Sequence, residues 1–197
     1  MIELGPLCTW WRGDPLPLLS AFPGLRIVQE PLDSWLEELG GYPPAELLAR
    51  RRDGHRPVVA LVGDVPVAYG WVATRRAHIG ALDLTFTVPE RERYLWDFFT
   101  APAWRGWGIY PRLLQAIVRE TLDADRFWIG YDAPNVASAR GIAKAGFRKV
   151  VEIVRLPDGR LALRPVGPPE RVTAAARLLG LPVWRPVSGD DATSGRR

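Results

Sequence analysis

One passage of the sequence, Phe98 to Leu114, most constrains the fold. It is FFTAPAWRGWGIYPRLL, in which a β-rich run meets a loop with two glycines and an amphipathic helix follows at once. Such a junction presents the free N–H groups of the first helical turn and the positive end of the helix dipole. A phosphate or pyrophosphate fits there. Gly106 and Gly108 would let the main chain approach the ligand closely, and Arg105 would add a charge-assisted hydrogen bond.

The same passage, taken alone, is equally consistent with an ordinary turn. Two glycines before a helix are common. The loop lacks the Gly-Lys-Ser/Thr of a P-loop and the full G-x-G-x-x-G of a dinucleotide-binding Rossmann site. A ligand site and a plain turn therefore remain equal alternatives on this passage alone.

Strand-like and helix-like segments alternate around this passage. The predicted elements are a strand at 25–30, helices at 31–39 and 43–52, a hairpin at 57–62 and 65–74, strands within 78–88 and 93–100, a helix at 109–122, a strand at 127–131, a helix at 135–145, strands at 147–156 and 160–164, and a helix at 169–179. The first 24 residues are predicted to be irregular, and the polar segment 188–197 disordered. This order predicts one α/β domain, residues 1–187, with a core at 25–165 and an extension at 166–187.

Composition excludes several classes of function. The 197 residues, 47% of them hydrophobic, suit one globular domain, and no apolar run is long enough for a membrane helix. A single cysteine, Cys8, excludes an internal disulfide framework, and two histidines without ligand spacing argue against a metal site. Of the 26 basic residues only Lys144 and Lys149 are lysine. The arginines are scattered, so nucleic-acid binding is not expected. No secretory signal is evident, which favours the cytoplasm.

A second segment, Asn135 to Phe147, completes the pattern. It is NVASARGIAKAGF, in which an Asn-led loop precedes a short helix and Gly-Phe leads into the next strand. Together with the loop that begins at Arg105, it resembles the GNAT superfamily of N-acyltransferases. In that family an R/Q-x-x-G-x-G/A loop binds the pyrophosphate of coenzyme A, and an N-x-x-S…G-F segment follows downstream. Both motifs occur here in the family's order, and the resemblance covers residues 25–165.

The resemblance implies a fold and a co-substrate. The fold is an α/β domain with a mixed, mostly antiparallel central sheet flanked by helices and a V-shaped splay between the fourth and fifth strands, where the pantetheine arm lies. The co-substrate is acetyl-CoA, with no metal. The residues implied to bind it are Phe99 and Thr100 at the end of the fourth strand, Arg105, Gly106, Trp107, Gly108, Ile109 and Tyr110 in the loop, and Asn135 and Ser138 near the pantetheine arm or the thiol.

The resemblance leaves the catalytic acid and base open. The tyrosine that many members use as general acid falls at Ile142, which cannot donate a proton, so Tyr110, Tyr131 or water are the candidates instead. Tyr110 also replaces the small residue that ends the family's loop, which narrows the site. Asp97 lies in the apolar run Leu95–Phe99 and is a candidate base, because burial raises the pKa of a carboxylate. A structural acceptor for backbone or arginine is the equal alternative.

The implied function is transfer of an acetyl group from acetyl-CoA to a primary amine of a small molecule by direct attack. A protein N-terminus or lysine is the alternative acceptor. A coenzyme A-binding sensor or partner domain with little catalysis is the alternative class, which Ile142 keeps open. No membrane or nucleic-acid partner is expected. The segment 165–186 is a candidate surface for self-association, so a homodimer is an open alternative to a monomer.

Overall fold

Ten strands and five helices make up residues 1–185, the part of the chain that the structure, a computed structural model, describes. The strands are β1 (Ile2–Trp11), β2 (Leu25–Val28), β3 (His55–Val62), β4 (Val65–Ala73), β5 (Arg76–Ile79), β6 (Leu84–Thr87), β7 (Glu92–Thr100), β8 (Arg126–Gly130), β9 (Arg148–Arg155) and β10 (Leu161–Pro165). The helices are α1 (Asp33–Gly40), α2 (Pro44–Arg52), α3 (Ile109–Glu120), α4 (Val136–Lys144) and α5 (Pro169–Leu179). Eight strands form one sheet in the order β10-β9-β1-β8-β7-β4-β3-β2, and β5 pairs with β6 separately.

All neighbours in the large sheet are antiparallel except β7 and β8. These two strands run parallel and pair only from Glu92–Leu95 to Arg126–Ile129. The helix α3 provides the crossover connection that a parallel pair needs. Beyond Leu95 the strand β7 continues to Thr100 without pairing to β8, so the sheet opens there. The mixed, mostly antiparallel sheet confirms the expected fold class. Counted across the sheet from β2, its fourth and fifth strands are β7 and β8.

Helices cover both faces of the sheet. Alternate residues of β3 contribute to opposite cores: Val58 packs in the cluster under α3 and α4, and Val59 packs in the cluster under α1 and α2. α5 covers the second face at the other end of the sheet. The α3 side chains Leu113, Leu114 and Ile117 are fully buried. Burying a side chain of this size contributes roughly 1.5–3 kcal/mol, so packing holds α3 firmly on the sheet.

The N-terminal segment differs from the expectation. Residues 2–11 form β1, an inner strand between β8 and β9, so the prediction of an irregular segment is wrong there. Gly5 to Trp10 are all buried, and a strand buried on both faces has no alternating pattern by which to recognise it. Gly5 has a positive φ, and a Cβ at this position would overlap the carbonyl oxygen of Tyr131, so the close approach of β1 to the residue after β8 requires glycine.

Residues 12–24, which we call the strap, have no regular structure but cross the outer side of α3. The side-chain amide of Gln115 donates to the carbonyl of Pro17, and Arg112 donates to the carbonyl of Ser20. Arg12 donates to the carbonyls of Thr121 and Ala124 just beyond α3. The strap therefore ties β1 to both ends of α3.

The remaining predicted helices and strands occur within a few residues of their expected bounds. One exception is the single strand expected within 78–88, which is the β5–β6 pair. The segment expected to be disordered, 188–197, lies outside the described residues. No helix among residues 1–185 is long and apolar enough to cross a membrane.

Candidate functional site

A cleft of about 720 Å³ opens where β7 and β8 separate. The end of β7, the loop that follows it, the first turn of α3 and one side of α4 form its walls. The residues that line it are Phe98, Phe99, Thr100, Trp104, Arg105, Gly106, Gly108, Ile109, Tyr110, Pro111, Asn135, Ala137, Ser138, Arg140, Gly141 and Lys144. The motifs around Arg105 and Asn135, which are far apart in sequence, therefore face each other across one cavity.

The loop before α3 is shaped to expose main-chain N–H groups. Gly106 and Gly108 both have a left-handed backbone, with φ of 83° and 74°. Gly108 is the N-cap of α3 and no side chain caps the helix, which leaves the N–H groups of its first turn for a ligand. The φ of Gly108 strains any other residue, and a Cβ there would also lie 2.6 Å from Nη1 of Arg112. Alternating left- and right-handed residues next to a helix N-terminus make an anion-binding concavity.

A second helix begins on the opposite wall. Asn135 is the N-cap of α4, where its side-chain oxygen accepts a hydrogen bond of 3.0 Å from the N–H of Ser138. The hydroxyl of Ser138 lies 3.5 Å from the hydroxyl of Tyr110 on α3. The cleft thus has a pair of hydroxyl groups bridging its two helices.

All charged side chains that line the cleft are positive. Three of the lining side chains are cations, namely Arg105, Arg140 and Lys144, and no lining residue is Asp or Glu. With two helix N-termini adding to this field, the cleft attracts an anion that carries several charges. An ordinary turn at the start of a helix does not require a one-signed cavity, so the geometry favours a ligand site over a plain turn.

The free edge of β7 supplies main-chain groups to the cleft. The N–H of Ala101 donates to the carbonyl of Val67 on the β4 side. Because hydrogen-bonding direction alternates along an antiparallel strand, the main-chain groups of Thr100 face away from β4 and toward the cleft. Nε of Arg105 donates to the Thr100 carbonyl at 3.0 Å, which agrees with this orientation. An extended, amide-bearing ligand arm could pair with this edge as a strand would.

The sequence matches the model of the acetyltransferase (GNAT) family over residues 24–147, more than half of the chain. The chain belongs to this family. The paired motifs predicted this membership. No curated protein matches the sequence.

Several solved structures resemble this acetyltransferase. One is an acetyltransferase of the GNAT family from Novosphingobium aromaticivorans DSM 12444, with 19% identity, a TM-score of 0.50, and coverage of 75% of this chain and 61% of that chain. Another is a GCN5-related N-acetyltransferase from Kribbella flavida, with 15% identity, a TM-score of 0.49, and coverage of 75% and 55%. A third is the aminoglycoside acetyltransferase AAC(6')-Ib in complex with coenzyme A, with 20% identity, a TM-score of 0.46, and coverage of 70% and 90%. The acetyltransferase spans about half the length of the Kribbella chain, and the similarity is one of fold.

The cleft brings together most of the residues expected to bind the co-substrate. All ten line it except Trp107, whose side chain is 61% exposed and packs against Phe22 of the strap. Arg140 and Lys144 also line the cleft and were missed by the sequence reasoning. The spacing of Ala137, Arg140, Gly141 and Lys144 places them on one face of a helix, which was the signal that could have revealed them.

Asp97 lies outside the cleft, on the opposite face of β7. Tyr69 pairs with Phe99 and Trp71 with Trp96, so Asp97 and Phe98 together oppose Gly70 in a β-bulge. A Cβ at Gly70 would overlap the Phe98 ring, so the bulge requires glycine there. Asp97 itself has a φ of 52°, which is unusual for a residue other than glycine. The bulge turns the Asp97 carboxylate toward α1 and α2.

Two donors hold the Asp97 carboxylate there. Nη1 of Arg50 and the hydroxyl of Tyr42 both donate to Oδ2 at 2.6 Å, which leaves Oδ1 for a further donor. The Tyr42 hydroxyl also lies 2.9 Å from the hydroxyl of Tyr69, which donates to it because the single proton of Tyr42 goes to Asp97. Burial and the hydrogen bond to Asp97 raise the pKa of Tyr42, so its hydroxyl stays protonated and continues to donate. The Arg50 guanidinium lies over the rings of three aromatic residues, Tyr42, Trp71 and Trp96, at 4.4–4.8 Å.

The two candidate tyrosines have different surroundings. Tyr110 lines the cleft, and burial raises the pKa of its hydroxyl. Tyr131 follows β8 and does not line the cleft, and its charged neighbours are Lys149 and Glu152. Burial also raises the pKa of Tyr131. Ile142 is buried in the core under α3 and α4. The geometry therefore sets Tyr110 apart as the tyrosine that lines the cleft, while the catalytic roles of both stay predictions.

Clusters of metal-binding side chains are not found at this site. Among residues 1–185 the structure has no group of three or more His, Cys, Asp or Glu that could hold a metal ion.

Proposed function

We propose that this acetyltransferase moves an acetyl group from acetyl-CoA to a primary amine of a small molecule by direct attack. The observation that carries the proposal is the cleft between β7 and β8, which combines three cations and two helix N-termini with no carboxylate. The pyrophosphate of coenzyme A is the part of the donor that such a site recognises best. The free β7 edge at Thr100 suits the amide groups of the pantetheine arm.

The residues of the cleft fit this donor in three parts. Gly106, Gly108 and Ile109 would hold the pyrophosphate with main-chain N–H groups, assisted by Arg105 and Lys144. Phe99, Thr100 and Asn135 would border the pantetheine arm. The thiol end would then lie where β7 and β8 part, between the Tyr110 and Asp97 sides of the sheet.

Proton transfer can be assigned to two residues on opposite faces of β7. We assign the acceptance of the amine proton to Oδ1 of Asp97, because Arg50 and Tyr42 fix the carboxylate through Oδ2 only. We assign the protonation of the departing thiolate to Tyr110, whose hydroxyl is kept in its neutral form by burial. Direct attack needs both groups because the amine must lose a proton while the sulfur gains one. The phenol and the carboxylate would act on opposite sides of the same carbon atom.

The acceptor we propose is a small amine rather than a protein. Aminoglycoside acetyltransferases are among the similar structures, and one of them is in complex with sisomicin. The exposed part of Asp97, 30% of its side chain, offers a negative group to such an amine. A protein N-terminus or lysine remains the alternative acceptor.

Thiol release from acetyl-CoA in the presence of an amine panel tests the activity. The panel contains aminoglycosides, arylalkyl amines, polyamines and peptides with a free N-terminus or lysine. Turnover with small amines supports the proposal. Turnover with peptides alone would show that the acceptor is a protein amine instead of a small molecule. Coenzyme A binding without turnover on any amine assigns the chain to the sensor alternative, and absence of coenzyme A binding overturns the cleft assignment as well.

Charge-removing variants test the cleft separately from the chemistry. Lys144→Gln should weaken coenzyme A binding by about tenfold at low salt and flatten its salt dependence, because one charge-assisted contact to phosphate is lost. Arg177→Gln is the matched control, since it removes the same charge from an exposed position on α5, away from the cleft. Equal affinity of the two variants, measured by calorimetry, would place the anion site elsewhere.

A further inference from the structure

One tryptophan of the nine lies outside the protein interior. All nine fall within the described residues, and Trp107 alone is exposed, with 61% of its surface open to solvent. It lies between Gly106 and Gly108, yet its side chain points away from the cleft that those glycines line. Leaving an indole in water forgoes the stabilisation that burial of its apolar surface would have given. A function for the exposed ring would account for its place on this loop.

The strap holds the Trp107 ring in a fixed position. Phe22 meets the indole nearly edge to face, with ring centres 6.5 Å apart and an interplanar angle of 75°. The guanidinium of Arg112 lies 5.7 Å from the centre of the Phe22 ring. Arg112 in turn donates to the carbonyls of Ser20 and Gly108, at 2.6 and 2.7 Å. The indole is therefore supported on one side, while most of its surface stays open.

Two cationic side chains lie beside Gly108, in the loop that is proposed to hold the phosphates. The position that a Cβ would take at Gly108 lies 2.6 Å from Nη1 of Arg112 and 3.9 Å from Nζ of Lys144. Phosphates held at Gly108 would join a pantetheine arm inside the cleft to a nucleoside outside it. Trp107, the neighbour of Gly108 in the chain, is the exposed apolar surface at that exit.

We propose that the Trp107 indole is the stacking platform for the adenine of the coenzyme A donor. The inference rests on the proposed function, since it needs the pyrophosphate to lie on the Gly106–Gly108 loop. A purine is planar and stacks on an aromatic side chain without needing a particular hydrogen-bond partner. The support from Phe22 and Arg112 fixes the ring before binding, so little side-chain freedom is lost when the base arrives.

Two ligands that differ by the nucleotide part test this inference on the full-length chain. Coenzyme A carries the adenine, and 4′-phosphopantetheine ends before it. Trp107→Ala should weaken coenzyme A binding about tenfold, because stacking of one base on an aromatic side chain is worth ~1–3 kcal/mol. The same change should leave the affinity for 4′-phosphopantetheine unaltered. Trp107→Phe should keep most of the affinity for coenzyme A, because phenylalanine retains a stacking face.

The control is Leu18→Ala, which removes a 96%-exposed apolar side chain from the strap and should change neither affinity. Calorimetry with wild-type and variant proteins gives both constants. Unchanged coenzyme A binding in Trp107→Ala overturns the platform, and so does an equal loss for both ligands, which would show a general disturbance of the loop. If the wild-type chain binds neither ligand, the proposed function itself fails, and that outcome is distinct from a loss confined to Trp107.

Discussion

The ring of Tyr110 on α3 lies against Gly141 on α4. A Cβ at Gly141 would be 2.9 Å from Cε1 of Tyr110 and closer still to Cδ1, so the ring occupies the space of a missing side chain. The Tyr110 hydroxyl then comes within 3.5 Å of Ser138 in the cleft. Gly141 immediately precedes Ile142, the buried residue at the position where a catalytic tyrosine is common in the family. Ile142 supplies no hydroxyl at this position of α4. Tyr110, from the neighbouring helix α3, brings a hydroxyl to the same wall of the cleft.

Gly141→Ala should destabilise the protein, although alanine is the better helix former. Overlap with the Tyr110 ring should cost about 1–3 kcal/mol, which exceeds the gain of roughly 1 kcal/mol from helix propensity. In a Tyr110→Ala background the overlap is gone, so the same change should stabilise. Urea unfolding of the four proteins of this cycle measures the coupling. Effects of the two changes that simply add would contradict the contact.

Tyr110→Phe should lower kcat by a factor on the order of 10²–10⁴, the usual contribution of a positioned general acid. Coenzyme A affinity should remain unchanged, because only a hydroxyl is removed from the cleft. Tyr131→Phe is the matched comparison, since that ring lies outside the cleft lining. A larger loss in Tyr131→Phe than in Tyr110→Phe would transfer the acid role to Tyr131.

The free energy of unfolding should depend less on alkaline pH in Tyr110→Phe than in the wild type. Burial raises the pKa of Tyr110 above its ordinary value of about 10, so the neutral, proton-donating form persists in the folded protein at higher pH than in the unfolded chain. The stability linked to this group is complete below pH 10 and is lost as pH rises through the folded pKa. Unfolding curves from pH 8 to 11 should therefore show a smaller alkaline loss in Tyr110→Phe than in the wild type.

The sequence indicated the local geometry of the cleft better than the surroundings of Asp97. Gly106, Gly108 and Asn135 are local signals, because a left-handed loop and a helix cap depend on residues next to one another. The partners of Asp97 are not local. Arg50 is 47 positions away in sequence, and nothing in the apolar run around Asp97 indicates that a bulge turns the carboxylate to the face of α2. The inner position of β1 was hidden for a similar reason, since its pairing partners come from the far end of the chain.

Asp97→Asn should reduce kcat/KM for the amine by at least tenfold and leave coenzyme A affinity unchanged. Asparagine tolerates the φ of 52° as well as aspartate does, so the substitution removes the charge and keeps the bulge. Asp64→Asn is the control, because its side chain is fully exposed in the β3–β4 turn. Unaltered kinetics would make Asp97 a purely structural acceptor for Arg50 and Tyr42.

The stability of the C-terminal helix should depend on pH through Asp14 and Arg171. Arg171 of α5 donates two hydrogen bonds to Asp14 of the strap, at 2.8 and 2.7 Å, and both side chains are nearly buried. Burial alone would raise the pKa of Asp14, but the hydrogen bonds from Arg171 and from the N–H of Trp11 outweigh it, so the pKa is lowered. A carboxyl with a lowered pKa contributes stability that is present above its unfolded value of about 3.9 and is lost as pH falls through the folded value.

Asp14→Ala should therefore lower the free energy of unfolding by about 3 kcal/mol at pH 7, because it leaves the Arg171 charge nearly buried without its partner. As pH falls through the folded pKa of Asp14, the wild type should lose its advantage over the variant, since the carboxyl becomes protonated in both folded and unfolded states. Asp158→Ala provides the comparison: it breaks an ion pair with Arg160 in an exposed turn, where solvent screens the charges, and should change stability little at any of these pH values. Urea unfolding at pH 7 and at a series of lower pH values decides the matter, and a difference between Asp14→Ala and wild type that stays the same at every pH would assign the loss to packing rather than to the ion pair.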